Sequence, residues 1–234
     1  MSLYLKVEIL SIAIPLLLSF DKKVHFYKMW KSLLPSIFIS AALFIPPDIV
    51  FTKLGIWGFN PQYHSGILLA GLPVEEWLFF LLIPYACLFI HYVFLSYSGN
   101  YSLGDKKVRV ISGLIILLLL FTIVLYSDRI YTLIYSIILI LLLVFANIEK
   151  MKVLNSFLLT FPIMLIPFLI VNSTLSGTFT DGALLWYKSS TICGLHVLTV
   201  PVEDIGYAFC LVLVPLMINE RLRLFLNRNR NEGN

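Results

Sequence analysis

Charge is scarce in this sequence. Only 13% of its 234 residues are Asp, Glu, Lys or Arg, against 59% that are hydrophobic, and the mean hydropathy is +0.92. A soluble domain of this length could not bury so much apolar surface, so the composition predicts an integral membrane protein. The net charge of +4 is small and scattered, which argues against a nucleic-acid partner and for basic residues that orient the chain in a bilayer. Cysteine is scarcer still. Cys87, Cys193 and Cys210 are widely spaced, none in a Cys-x-x-Cys pair and two within apolar runs, so they read as small buried side chains rather than redox or metal groups. No Gly-x-Gly-x-x-Gly occurs, which removes the dinucleotide fingerprint. No Asp-Asp-x-x-Asp or Asn-Asp-x-x-Asp cluster occurs either, which argues against the Mg²⁺-diphosphate chemistry of prenyl transfer and terpene synthesis. The last apolar run has no lysine for a retinal Schiff base, and His25, His64, His91 and His196 are too scattered for a metal site.

What the chain has instead is long apolar runs. A spanning helix needs about 20 mostly apolar residues, and seven segments approach that: 3–20, 32–45, 73–97, 110–126, 130–146, 157–173 and 201–218. The first is followed by no convincing cleavage site and reads as a retained anchor. Thirteen of the 17 basic residues fall in connections 1–2, 3–4 and 5–6 and in the tail; Lys6, Lys53, Arg129 and Lys188 lie on the other side. The positive-inside rule then places the N-terminus outside and the C-terminus in the cytoplasm of a multi-pass cell-membrane protein.

Two short acidic motifs stand at the start of apolar runs. Pro73-Val74-Glu75-Glu76 and Pro201-Val202-Glu203-Asp204 superimpose when the chain is shifted by 128 residues without gaps. The same shift pairs Phe51-Thr52 with Phe179-Thr180, Gly66 with Gly194, and Asp21-Lys22 with Glu149-Lys150. The expected architecture is therefore all-α: two parallel three-helix repeats (1–100 and 129–234) joined by a linker helix (101–128). One reading of the motifs is structural, since proline suits the first helical position and acids in the first turn complement the helix dipole. The other is chemical. Carboxyl groups drawn into apolar surroundings, and close to one another, can be held protonated as proton donors. Glu8 lies in the first apolar run, where Lys6 and the nearby boundary suggest a solvated position.

These residues resemble the membrane-integral lycopene cyclases, in the form where two homologous halves are fused in one chain. The likeness extends over nearly the whole sequence. It is carried by "LLLSFDKKVHFYKMWK" (16–31), by "DIVFTKLGIWGFNPQYHSGILLAGLPVEEWLFF" (48–80) and by "PVEDIGYAF" (201–209). In the second half Tyr187-Lys188-Ser189 stands in place of Phe59-Asn60-Pro61.

The resemblance implies a β-cyclase acting on lycopene and γ-carotene within the bilayer, with no cofactor and no metal, among membrane lipids and in association with other carotenoid-biosynthesis enzymes. An acid protonates the terminal double bond, the tertiary cation is attacked intramolecularly, and loss of a ring proton leaves the β-ionone end. Acid and base are then expected from Glu75, Glu76, Glu203 and Asp204. Trp57, Phe59, Asn60, Trp77, Phe80, Trp186 and Tyr207, with Phe79 and Tyr187, are candidates to bind substrate or face the cation. Asp48, Pro73 and Pro201 support the motifs. The flavin-dependent soluble cyclases are excluded by the missing glycine fingerprint. The alternative from another class is a proton-coupled transporter using the paired carboxylates as a relay.

Overall fold

The computed structural model describes residues 1–99 and 101–232, with side chains to Arg228; the Arg230 side chain and Asn234 of the expected basic tail lie outside that description. About 70% of the chain is helical. The described residues form seven α-helices: α1 (Leu3–Leu18), α2 (Trp30–Lys53), α3 (Val74–Ser98), α4 (Asp105–Leu125), α5 (Ile130–Ile148), α6 (Val153–Leu175) and α7 (Glu203–Glu232). Five are long and apolar enough to cross a membrane: α2 with the 3₁₀ turn before it (Phe26–Lys53), α3, α4, α5 and α6. At 16 residues, α1 is shorter than a perpendicular span requires.

Three helices depart from the sequence expectation. α2 continues through Pro46 and Pro47 to Lys53, where the composition suggested a stop at residue 45. A proline removes one backbone hydrogen bond, but a helix packed among other helices in lipid has no better option than to continue. α4 begins at Asp105, so Lys106, Lys107 and Arg109 are helical. α7 runs through the first part of the basic tail.

Six short strands also qualify the all-α expectation: β1 (Trp57–Phe59), β2 (Leu68–Leu69), β3 (Leu72–Pro73), β4 (Leu185–Tyr187), β5 (His196–Val197) and β6 (Val200–Pro201). β1 and β4 pair antiparallel, with Gly58 opposite Trp186 at the centre of the ladder. Those two positions are 128 residues apart in the sequence. On either side the bonds are reciprocal: Asn60 N–H donates to the Leu184 carbonyl (2.7 Å), and Lys188 N–H to the Ile56 carbonyl (2.8 Å). The Trp186 indole lies over Gly58 so closely that a β-carbon would collide with its ring. Glycine is required there by contact rather than by backbone angle.

Hairpins β2–β3 and β5–β6 place Leu68 opposite Pro73 and His196 opposite Pro201. Their turns hold Ala70 and Leu198 at φ 54° and 56°, an unusual left-handed conformation for residues with a β-carbon. This corrects the expected role of the two prolines. Pro73 and Pro201 close hairpin strands; they are not first helical residues. Each hairpin hands the chain directly to an acidic helix start.

α1 packs on α3, and α5 on α7, while α2 lies against α7 and α6 against α3. α4 rests on α5 and α6. The cores of both ends of the chain are thereby joined in one apolar cluster.

Candidate active site

Adjacent residues of a helix point about 100° apart, so each acidic pair sends its two carboxyl groups to different places. Glu75 and Glu203 turn toward the hairpins. Ser65 N–H donates to Glu75 Oε1 (2.6 Å), Ser2 Oγ to the same oxygen (2.7 Å) and Ser65 Oγ to Oε2 (3.2 Å). In the other half Cys193 N–H donates to Glu203 Oε1 (2.6 Å), joined by the Thr132 hydroxyl. Glu203 Oε2 has no hydrogen-bond partner among the described residues. The difference is traceable to one position: Cys193 stands where the 128-residue shift places Ser65. A thiol is a weak donor. Partial burial, and the neighbouring Glu203 carboxylate, also push the Cys193 thiol up from its ordinary range.

Glu76 and Asp204 turn inward, to a common cavity. The Tyr4 hydroxyl donates to Glu76 Oε2 (2.6 Å). Tyr131 and Tyr187 donate to the two oxygens of Asp204, both at 2.6 Å. Burial, and then the Asp204 carboxylate, push the Tyr187 phenol well above its usual value, so it remains a donor at working pH. Glu76, Asp204 and Asp48 line one cavity of about 40 Å³, walled by Trp57, Phe59, Phe79, Tyr131, Tyr187 and Tyr207. That volume admits water but is far below the several hundred Å³ typical of ligand pockets.

The expected site residues therefore separate. Trp57, Phe59, Phe79, Tyr187 and Tyr207 wall the chamber, whereas Asn60, Trp77, Phe80 and Trp186 do not line it. Asn60 Oδ1 instead accepts the Gln62 N–H within its loop. Trp77 Nε1–H donates to the Leu69 carbonyl (3.1 Å), pinning the first hairpin to α3. Phe80 is fully buried against Phe44 and Phe79, and Trp186 covers Gly58.

Three features go beyond what the sequence suggested. Asp48, expected to support the motifs, lines the chamber as a third acid. Tyr4 and Tyr131 clamp the inward carboxylates from the first turns of α1 and α5. They are 127 residues apart, one short of the shift that aligns the acids, so an ungapped comparison passes over them. Glu8 corrects an expectation: it is fully buried, and neither carboxyl oxygen has a partner among the described residues. α1 packs on α3 and turns Glu8 inward, toward Glu75. Among the described residues no group of three His, Cys, Asp or Glu could hold a metal ion.

Tyr131→Phe should expose the cost of this arrangement. It leaves a buried Asp204 oxygen without its donor, at about 1–3 kcal/mol. The thermal unfolding midpoint in detergent is expected to fall by several degrees; an unchanged midpoint would contradict the clamp.

Comparison with known families adds one finding. A family model described as lycopene cyclase matches residues 1–94 and 128–222. No curated protein and no solved structure matches the chain.

Proposed function

This chain belongs to the lycopene cyclase family, and on that premise we propose that it is a lycopene β-cyclase, closing both ends of lycopene through γ-carotene to β-carotene without a cofactor. The observation that carries this reading is the convergence of Glu76, Asp204 and Asp48 on one chamber with aromatic walls, beside the separately held Glu75 and Glu203.

The chemistry asks for little more. Protonation of the terminal alkene consumes one proton, ring closure moves only π electrons, and loss of a ring proton returns it. The balance is an isomerisation, so neither flavin nor nicotinamide is required. The protein must supply acid, base, a folding template and a surface tolerant of positive charge. The inward acids hold and pass protons. The outward acids face substrate or secure the hairpins. Trp57, Phe59 and Tyr207 wall the chamber around the inward acids. The substrates are apolar and reach the site from the bilayer, where association with other carotenoid-forming enzymes would shorten transfer.

The same reading assigns residues 1–100 and 129–234 to two parallel three-helix repeats and 101–128 to a linker, with seven helices in the cell membrane. Support comes from the two matched regions of the family model and from hydrogen bonds that recur 128 residues apart, as at Ser65 and Cys193. The basic asymmetry favours an outside N-terminus and a cytoplasmic C-terminus. A reporter fused after Asn234 should work only in the cytoplasm, and one inserted between Asn60 and Ser65 only outside. The reverse pattern would overturn the orientation.

A further inference from the structure

The chamber is too small for the end of a carotenoid, which poses the question of where that end lies. A second space answers it. A groove of about 510 Å³ runs between α4, α5, α6 and α7, within the size range of small-molecule sites. Its walls include Ile115, Leu119, Tyr135, Leu139, Phe161 and Phe209, and Glu203 and Cys193 sit at one end. Glu203 lines the groove yet is only 7% exposed, and its unpartnered Oε2 is itself buried, so that oxygen meets a bound alkene once the side chain swings toward the groove. An unpaired carboxyl oxygen in apolar surroundings is costly, and it persists here because Cys193 replaces the hydroxyl that Ser65 supplies to Glu75.

We infer that this groove is the berth for one end of the polyene and that Glu203 Oε2 delivers the initiating proton to it. The inference rests on the cyclase reading and deepens it. One proton moves from Oε2 to the terminal alkene carbon, whose π pair forms the new C–H bond. The pair of the second alkene closes the ring C–C bond, and the ring proton returns to the Glu203 carboxylate. No oxidant or reductant enters. The groove lining includes no Lys, Arg or His, so it offers no cation to a phosphate headgroup. It does offer a carboxylate and the rings of Tyr135, Phe161 and Phe209 to a transient carbocation. The chamber lies one aromatic layer away: Tyr135 of the groove packs edge-on against Tyr207 of the chamber, ring centres 5.3 Å apart. Glu203 and Asp204 thus present neighbouring carboxyl groups to the two spaces.

Cys193 provides the test. It is partly exposed in the groove, while Cys87 and Cys210 are buried. Purified full-length protein in liposomes would be treated with a maleimide, with and without lycopene, and assayed for cyclisation in parallel. Lycopene should slow labelling of Cys193 at least fivefold, and added phosphatidylcholine should not. Ile115→Trp should abolish that protection and lower kcat/KM at least tenfold. Leu117→Trp, on the exposed side of α4, should do neither. Cys193→Ser, which restores the donor found at Ser65, should lower kcat about tenfold and by more than Cys193→Ala. If lycopene fails to protect Cys193 in a preparation that cyclises it, the berth is wrong and the cyclase reading stands. If lycopene is held, protecting Cys193, yet never cyclised, the berth stands and the cyclase reading falls.

Discussion

Glu203→Gln is expected to lower the cyclisation rate about a thousandfold, within the range for loss of a general acid, with the fold preserved. The geometry explains why the fold should survive. Both donors to this carboxyl converge on Oε1, so an amide can place its oxygen there and its NH₂ at the unpartnered Oε2 position. Position 75 is different. There Ser2 and Ser65 send donors to both oxygens, so an amide gives up three charge-assisted hydrogen bonds and keeps its NH₂ paired only if the Ser65 hydroxyl turns to accept. Glu75→Gln should therefore cost about 1–3 kcal/mol of stability and lose activity partly through that route. Pigment ratios from lycopene-loaded liposomes and thermal unfolding of the same preparations separate the two. Equal losses of rate with equal losses of stability at both positions would contradict this asymmetry.

The second large effect is expected inside the chamber. Glu76→Gln and Asp204→Asn should each reduce activity about a hundredfold, because either amide breaks a chain of carboxyl groups that hold and pass protons. The sharper expectation concerns the double variant. Both side chains line one cavity, and residues sharing partners are seldom additive. The double loss should fall well short of the product of the single losses. Losses that multiply would mean that the halves carry separate acid–base systems. The double-mutant cycle on initial rates is the measurement.

The acidic motifs were legible in the sequence because two copies of a four-residue pattern at a constant spacing are hard to miss among so few charges. The apolar runs were legible for the same reason. Helix ends were not. Pro46 and Pro47 signal a stop by water-based rules, yet α2 continues past them, and charged residues that seemed to belong to loops are wound into α4 and α7. The site was half legible. Which of two neighbouring acids faces inward depends on where each helix begins, and the prolines that seemed to start the helices instead finish the hairpins before them. The tyrosine clamps lay one residue out of register with the acids. Glu8 shows the opposite error: proximity to Lys6 suggested solvent, whereas packing of α1 on α3 determines its burial. The groove beside Glu203 depends on α4, α5 and α6 coming together, which no local pattern reports.

We propose that this protein cyclises lycopene with its own carboxyl groups and nothing else. The direct test is conversion by the purified full-length protein in lycopene-containing liposomes, with a chelator present and no flavin or nicotinamide added. γ-Carotene should appear first and β-carotene after it. Unchanged lycopene from folded protein, or conversion only when a reduced cofactor is supplied, would contradict it.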